Sequence, residues 1–249
     1  MVDNISFKRF WEIDLLRGIA VTMMIIFHFL YDLNYFNIYN LILYSGCLLI
    51  YVYLIGTFFF LLIGISLTLS FTKAKQSLTK KDLKIKFLKR GLKIFGLGLL
   101  ITIITWIYLK EGYVIFGVLH CIGLSIILSY PFIKYRYFNV LIGFILISIG
   151  LILKNYTFDF QFLVWLGFKP TQFYTIDYFP LLPWFGVILI GIFLGNMLYA
   201  KHNRSFKLKD ISGLKIIRFF SFLGQHALII YFIHQPILLS LVYIFKNIK

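Results

Sequence analysis

Cysteine is almost missing from this chain. Cys47 and Cys121 stand at unrelated positions, which excludes a disulfide framework and a cysteine-ligated zinc centre and leaves both as packing residues. There is no HExxH pattern, GxSxG elbow or phosphate-binding glycine-rich loop, so zinc-hydrolase, α/β-hydrolase and P-loop chemistry find no support and no metal is expected. No internal repeat is strong enough to imply inverted-repeat transporter architecture. A small-x-small cleavage site is lacking after Leu30, and Asp14 and Arg17 enter before the apolar run, so the first apolar segment reads as retained rather than as a signal peptide. Charge is scarce as well, at 14% of residues, and acidic residues number nine against 25 Lys and Arg.

Apolar surface is what the chain has in excess. Hydrophobic residues make up 61% of the sequence and the mean hydropathy is +0.90, values outside the range of soluble domains. The expected fold is an all-α polytopic membrane protein, a bundle of about seven transmembrane helices forming a single domain over residues 1–249. Hydropathy places the spans near 12–36, 46–71, 91–109, 114–132, 138–153, 181–200 and 222–245. Leu41 to Phe71 exceeds one span, which predicts tilt or a preceding interfacial turn. The aromatic-rich stretch 154–180 reads as an interfacial or re-entrant element.

The net charge of +16 follows this topology rather than a nucleic-acid surface. With the N-terminus cytoplasmic, twenty of the 25 basic residues fall on that side: Lys8, Arg9 and Arg17, then segment 73–93, Lys134 and Arg136, and segment 201–218. Lys110, Lys154, Lys169, Lys246 and Lys249 remain opposite, so the C-terminus is expected outside. A lesser role for Lys80, Lys81, Lys84, Arg90 and Lys93 is attraction of anionic lipid or an anionic cytosolic ligand.

Four polar residues interrupt the first span: Asp14, Arg17, His28 and Asp32. Eleven residues turn a helix to within about 20° of its starting azimuth and advance it about 16 Å, so Arg17 and His28 share one face at two depths. Ionisable groups near mid-membrane cost roughly 2.5–3.5 kcal/mol on insertion scales, so this stripe should face protein or water and marks a functional site. A carboxylate beside a histidine orients the ring and stabilises its protonated form, and Asp32 has helical spacing from His28 for that role. The alternative for His28 is a hydrogen bond to another helix. Arg17 stays charged, so it either pairs with Asp14 or Glu12 or holds an anion such as the phosphate end of a cytosolic donor.

Three further clusters are candidates for acceptor contact or support. His120 lies near the start of span four, where its alternative is a satisfied bundle histidine. Asp177, Tyr178 and Trp184 surround two prolines at the mouth of span six, where they form either a sugar-holding rim or an interfacial aromatic belt. His226 lies at the inner end of span seven, and His234 with Gln235 lies near its middle.

At these residues the chain resembles the transmembrane acyltransferases related to heparan-alpha-glucosaminide N-acetyltransferase. EIDLLRGIAVTMMIIFHFLYDL resembles that family's first span, and Arg17 to His28 matches the Arg-x10-His pattern of the wider membrane acyltransferase group. RGLKIFGLGLLIT, FGVLHCIGLSIIL, DYFPLLPWFGVILIGIFLGNML and LGQHALIIYFIHQPIL resemble later blocks in the same order, covering nearly the whole chain. The resemblance implies acetyl-CoA or another acyl-CoA as cytosolic donor, and a sugar, glycan or glycolipid acceptor on the far side. His28, with Asp32, is then catalytic, and Arg17, with Asp14, is on the donor side. His28 either deprotonates the acceptor or carries the acyl group. The chain lacks the large lumenal extension of the lysosomal enzyme, which favours an envelope glycan or glycolipid in a prokaryotic cell membrane. Membrane lipid and a second copy of the chain are the other expected partners, and nucleic acid is not. A proton-coupled exporter or flippase and a membrane scaffold are the competing classes.

Overall fold

The computed structural model describes residues 9–43 and 45–248; Lys8 and Lys249, counted above for topology, lie outside them. The described residues form eight α-helices and no strand, as expected of an all-α polytopic membrane protein. Chain contacts divide into two compact units, Met1–Leu62 with Leu208–Lys249, and Ile63–Lys207.

The first unit holds α1 (Trp11–Tyr35), the start of α2 (Gly46–Ala74), α7 (Lys215–Gln225) and α8 (Ala227–Ile248). Helix α1 ends where Asn37 adopts a left-handed φ of 56° and the Asn34 side chain accepts the Leu41 N–H at 2.8 Å. Tyr51 of α2 donates its hydroxyl to the Met23 carbonyl of α1 at 3.1 Å. Residues 36–43 are non-helical before α2 begins, consistent with a turn ahead of that long helix.

Helix α7 lies against α1 at backbone contact. Any Cβ on Gly18 would meet the Phe220 carbonyl, and any Cβ on Gly224 would meet the Asp14 carbonyl. Small residues allow such approach where lipid offers helices little hydrophobic drive to associate. Gly224→Ala should therefore push α7 away from α1 and cost about 1–3 kcal/mol, read as a fall in thermal midpoint of the detergent-purified protein. An unchanged midpoint would contradict this packing.

The second unit holds the rest of α2, α3 (Lys80–Leu109), α4 (Val118–Ser129), α5 (Tyr137–Leu153) and α6 (Leu181–Leu198). Glycines again mark its closest approaches, with Gly143 of α5 against the Gly186 carbonyl of α6. In α6, Leu182 is extended (φ −96°, ψ 121°), so regular helix starts at Pro183.

Seven apolar helices fall where spans were expected, but the boundaries differ. Five helices are long and apolar enough to cross a membrane, whereas α4 and α5 have only 12 and 17 residues. At 1.5 Å per residue α4 reaches about 18 Å against a core of about 30 Å. The expected span 114–132 is shortened because 111–117 forms a pinned loop and the chain turns at Pro131. The span expected over 222–245 is two elements, α7 and α8, broken at His226. The His226 ring donates to the Phe222 carbonyl at 2.8 Å and its N–H bonds the Phe222 and Leu223 carbonyls, closing α7. Helix α3 starts eleven residues before the expected 91, because Thr79 caps it by accepting the Asp82 N–H at 3.2 Å. Lys80 to Lys93 therefore ride on a helix. No span occupies 154–180, whose one regular element is the 3₁₀ turn Val164–Leu166.

Candidate functional site

The polar residues of α1 separate into two groups, each answered from α7 or α8. Asp14 and Asp32 are about five full turns apart on α1, so both carboxylates share an azimuth. Each accepts a hydrogen bond from a glutamine amide: Gln225 reaches Asp14 Oδ2 at 3.3 Å, and Gln235 reaches Asp32 Oδ1 at 2.8 Å.

Asp14 is 3% exposed and closely partnered. The Arg17 guanidinium lies 3.0 Å from its Oδ1, and Arg9 Nε lies 2.6 Å from its Oδ2. Arg17 also donates to the Gly224 carbonyl at 3.3 Å, joining α1 to the end of α7. The ion pair between Arg17 and Asp14 is the arrangement that helical spacing allowed. Arg17 keeps 24% of its side chain exposed beside it. Arg9 and Gln225 were not singled out in the sequence: one precedes the helix, and the other lies in an apolar block.

Three turns along α1, His28 stands ring to ring with His234 of α8, centroids 4.9 Å apart at 64°. The hydrogen bond expected between His28 and Asp32 is absent. Helical spacing brings the two side chains onto one face, but the short Asp32 carboxylate is engaged by Gln235 from across the interface. Among the described residues, no hydrogen bond is formed by the His28 ring; Phe27 and His234 flank it edge-on. His234 is fixed, because its Nδ1 lies 2.7 Å from the Tyr231 carbonyl. A carbonyl only accepts, so Nδ1 carries the hydrogen and the neutral ring presents a bare lone pair at Nε2. His234 Nε2, Asp32 Oδ2 and Gln235 Oε1 are all buried without a hydrogen-bond partner. Pro236 follows directly and cannot donate to the preceding helical turn.

His120, Asp177 and Trp184 belong to the second unit. His120 is 2% exposed between Phe95 and Phe116. Its Nδ1 accepts the Gly117 N–H at 3.2 Å, so Nε2 carries the hydrogen and points to Thr102 Oγ1 at 3.4 Å. Asp177 Oδ2 accepts the next free amide, Val118 N–H, at 3.1 Å. Together they satisfy two of the orphan donors at the start of α4. The neighbouring loops are stitched by Ile176 N–H to the Gly112 carbonyl and Thr175 Oγ1 to the Tyr113 carbonyl. Tyr178 donates to the Val164 carbonyl at 2.8 Å, and burial raises its phenol above the ordinary range. Trp184 packs its ring 5.4 Å from Phe179.

Burial pushes the Asp177 carboxyl up to about 6, against the Val118 N–H, which favours the ionised form. Because the folded value lies above the unfolded one, the stability this group contributes is complete below the ordinary carboxylate range and is lost as pH rises through about 6. Asp177→Asn keeps an acceptor for Val118 and should flatten thermal stability between about pH 4 and 7. It should gain about 1–2 kcal/mol at neutral pH, with allowance for solvent at the partly exposed carboxyl. A variant retaining the wild-type pH slope would contradict this.

Among the described residues no group of three or more His, Cys, Asp or Glu side chains is arranged to hold a metal ion. The family model described as "Heparan-alpha-glucosaminide N-acetyltransferase, catalytic" matches residues 9–236. No curated protein and no solved structure matches the chain.

Proposed function

Because the chain belongs to the heparan-alpha-glucosaminide N-acetyltransferase catalytic family, we propose that it moves an acetyl or short acyl group from cytosolic acyl-CoA to an acceptor across the membrane. The acceptor is a sugar hydroxyl or amine of a glycan or glycolipid, and the setting is a prokaryotic cell membrane. His28, a histidine set in a membrane-spanning helix opposite a second histidine, carries this reading.

In the orientation that the basic residues favour, Arg17 lies towards the cytosol and His28 deeper. Their axial separation of about 16 Å is comparable to a phosphopantetheine arm, so a donor whose phosphates rest near Arg17 can bring its thioester to His28. Two routes are open to His28. It takes the acetyl group as a transient acyl-imidazole, or it assists direct attack by the acceptor. Labelled acetyl-CoA quenched without acceptor separates them: label on His28 marks the first route, and its reproducible absence the second.

Donor binding is tested by thermal shift. Acetyl-CoA and free CoA should each raise the melting temperature, since a ligand at 100 times its Kd stabilises by about 2.7 kcal/mol. No shift with either would contradict acyl-CoA use and favour the scaffold reading. Substrate movement without acyl-CoA consumption would favour an exporter.

A further inference from the structure

We propose that His234 is the base that takes the proton of the acceptor nucleophile, with Asp32 Oδ2 and Gln235 Oε1 receiving the acceptor's neighbouring N–H or O–H groups. The proposal rests on the acetyl-transfer reading and adds to it the residue and the seat that meet the second substrate.

Three observations carry it. His234 is 7% exposed and Asp32 1% exposed, and each presents a buried polar atom with no hydrogen-bond partner. Gln235 Oε1 is a third such atom, on the residue next to His234 and bonded through its amide to Asp32. A buried polar atom left without a hydrogen bond costs about 1–3 kcal/mol, so three on neighbouring residues point to a ligand or water that completes them. All three are acceptors when Asp32 is ionised and the His234 ring is neutral. The group that completes the seat must therefore bring donors, as a sugar hydroxyl with a neighbouring hydroxyl or amine does.

The two histidines are not equivalent. His28 has no hydrogen bond to set its tautomer, whereas the Tyr231 carbonyl holds the proton on Nδ1 of His234 and fixes the Nε2 lone pair in place. Fixing the far nitrogen is how an imidazole is prepared as a general base. In direct transfer, the acceptor's oxygen or nitrogen bonds to the thioester carbonyl carbon as its proton passes to His234 Nε2. The carbon–sulfur bond then breaks with its electron pair going to sulfur. The His234 imidazolium returns the proton to that thiolate, which leaves as CoA thiol. When His28 carries the acetyl group, its ring nitrogen bonds to the thioester carbon and the ring proton goes to the departing CoA thiolate. In the second half His234 takes the acceptor's proton as the acceptor attacks the acetyl carbon, and passes it to the His28 nitrogen as the acyl–nitrogen bond breaks.

Two measurements decide this, both on the full chain in detergent micelles. With 15N-labelled histidine, the His234 ring should show an unprotonated Nε2 whose resonance moves when glucosamine is added as probe acceptor. A proton on Nε2, or no response to glucosamine, overturns the seat. The second compares acetyl transfer to glucosamine by wild type and His234→Ala. We expect a loss on the order of 10²-fold, recovered about tenfold by added imidazole but not by the similarly sized, weakly basic pyrazole. Equal recovery by both, or a variant as active as wild type, overturns the base role. A wild type that binds glucosamine at His234 yet consumes no acetyl-CoA overturns the acetyl-transfer reading and the base role, while the spectrum still decides the seat.

Discussion

His28→Ala is expected to lower acetyl transfer by on the order of 10²–10⁴-fold with its helices intact, the range that a positioned acid–base or nucleophilic group contributes. The structural cost should be small. The ring donates and accepts no hydrogen bond among the described residues, and its neighbours Phe27 and His234 are edge-on contacts. The loss should therefore appear in kcat, with the melting temperature and the acetyl-CoA-induced shift near wild type. Unchanged transfer by His28→Ala would remove His28 from the chemistry. A parallel collapse of the melting temperature would make it a packing residue instead.

Asp14→Ala is expected to destabilise the protein by about 3 kcal/mol. The side chain is 5% exposed, and both oxygens are engaged, by Arg17 and Arg9 as cations and by Gln225 as an amide. Removing it leaves the Arg17 charge beside the packed α1–α7 contact with its principal counter-ion gone. Breaking one partner of such a pair costs more than the pair is worth, because the remaining charge loses its ion-pair carboxylate. Asp14→Asn with Arg17→Gln should recover part of that loss by removing both charges. Thermal unfolding of the single and double variants checks the coupling, and strictly additive losses would contradict it.

The first helix was legible in the sequence because polar residues inside an apolar run are costly in lipid and therefore conspicuous. The helical positions of Asp14, Arg17, His28 and Asp32 follow from periodicity alone. What their side chains hold does not. Gln235 takes the carboxylate that spacing assigned to His28, and an amide in an apolar block carries no local mark of the carboxylate it meets more than two hundred residues away.

The break at His226 was hidden for a similar reason. FLGQHALIIYF is apolar on both sides, and the bonds from His226 to the Phe222 and Leu223 carbonyls that close α7 leave no mark in hydropathy. His120 and Asp177 show how a polar residue in an apolar setting can serve the fold. Their positions were visible, but the two amides at the start of α4 that they satisfy are a fact of tertiary structure. The long basic start of α3 escaped hydropathy because lysine and arginine form helix readily while scoring as loop.

The most direct test is to reconstitute wild type and His28→Ala in vesicles with glucosamine trapped inside and labelled acetyl-CoA added outside, and to measure acetylated glucosamine in the lumen. Lumenal product with wild type and almost none with His28→Ala is the predicted result. Equal product from both proteins, or none from wild type while acetyl-CoA remains intact, would contradict the account.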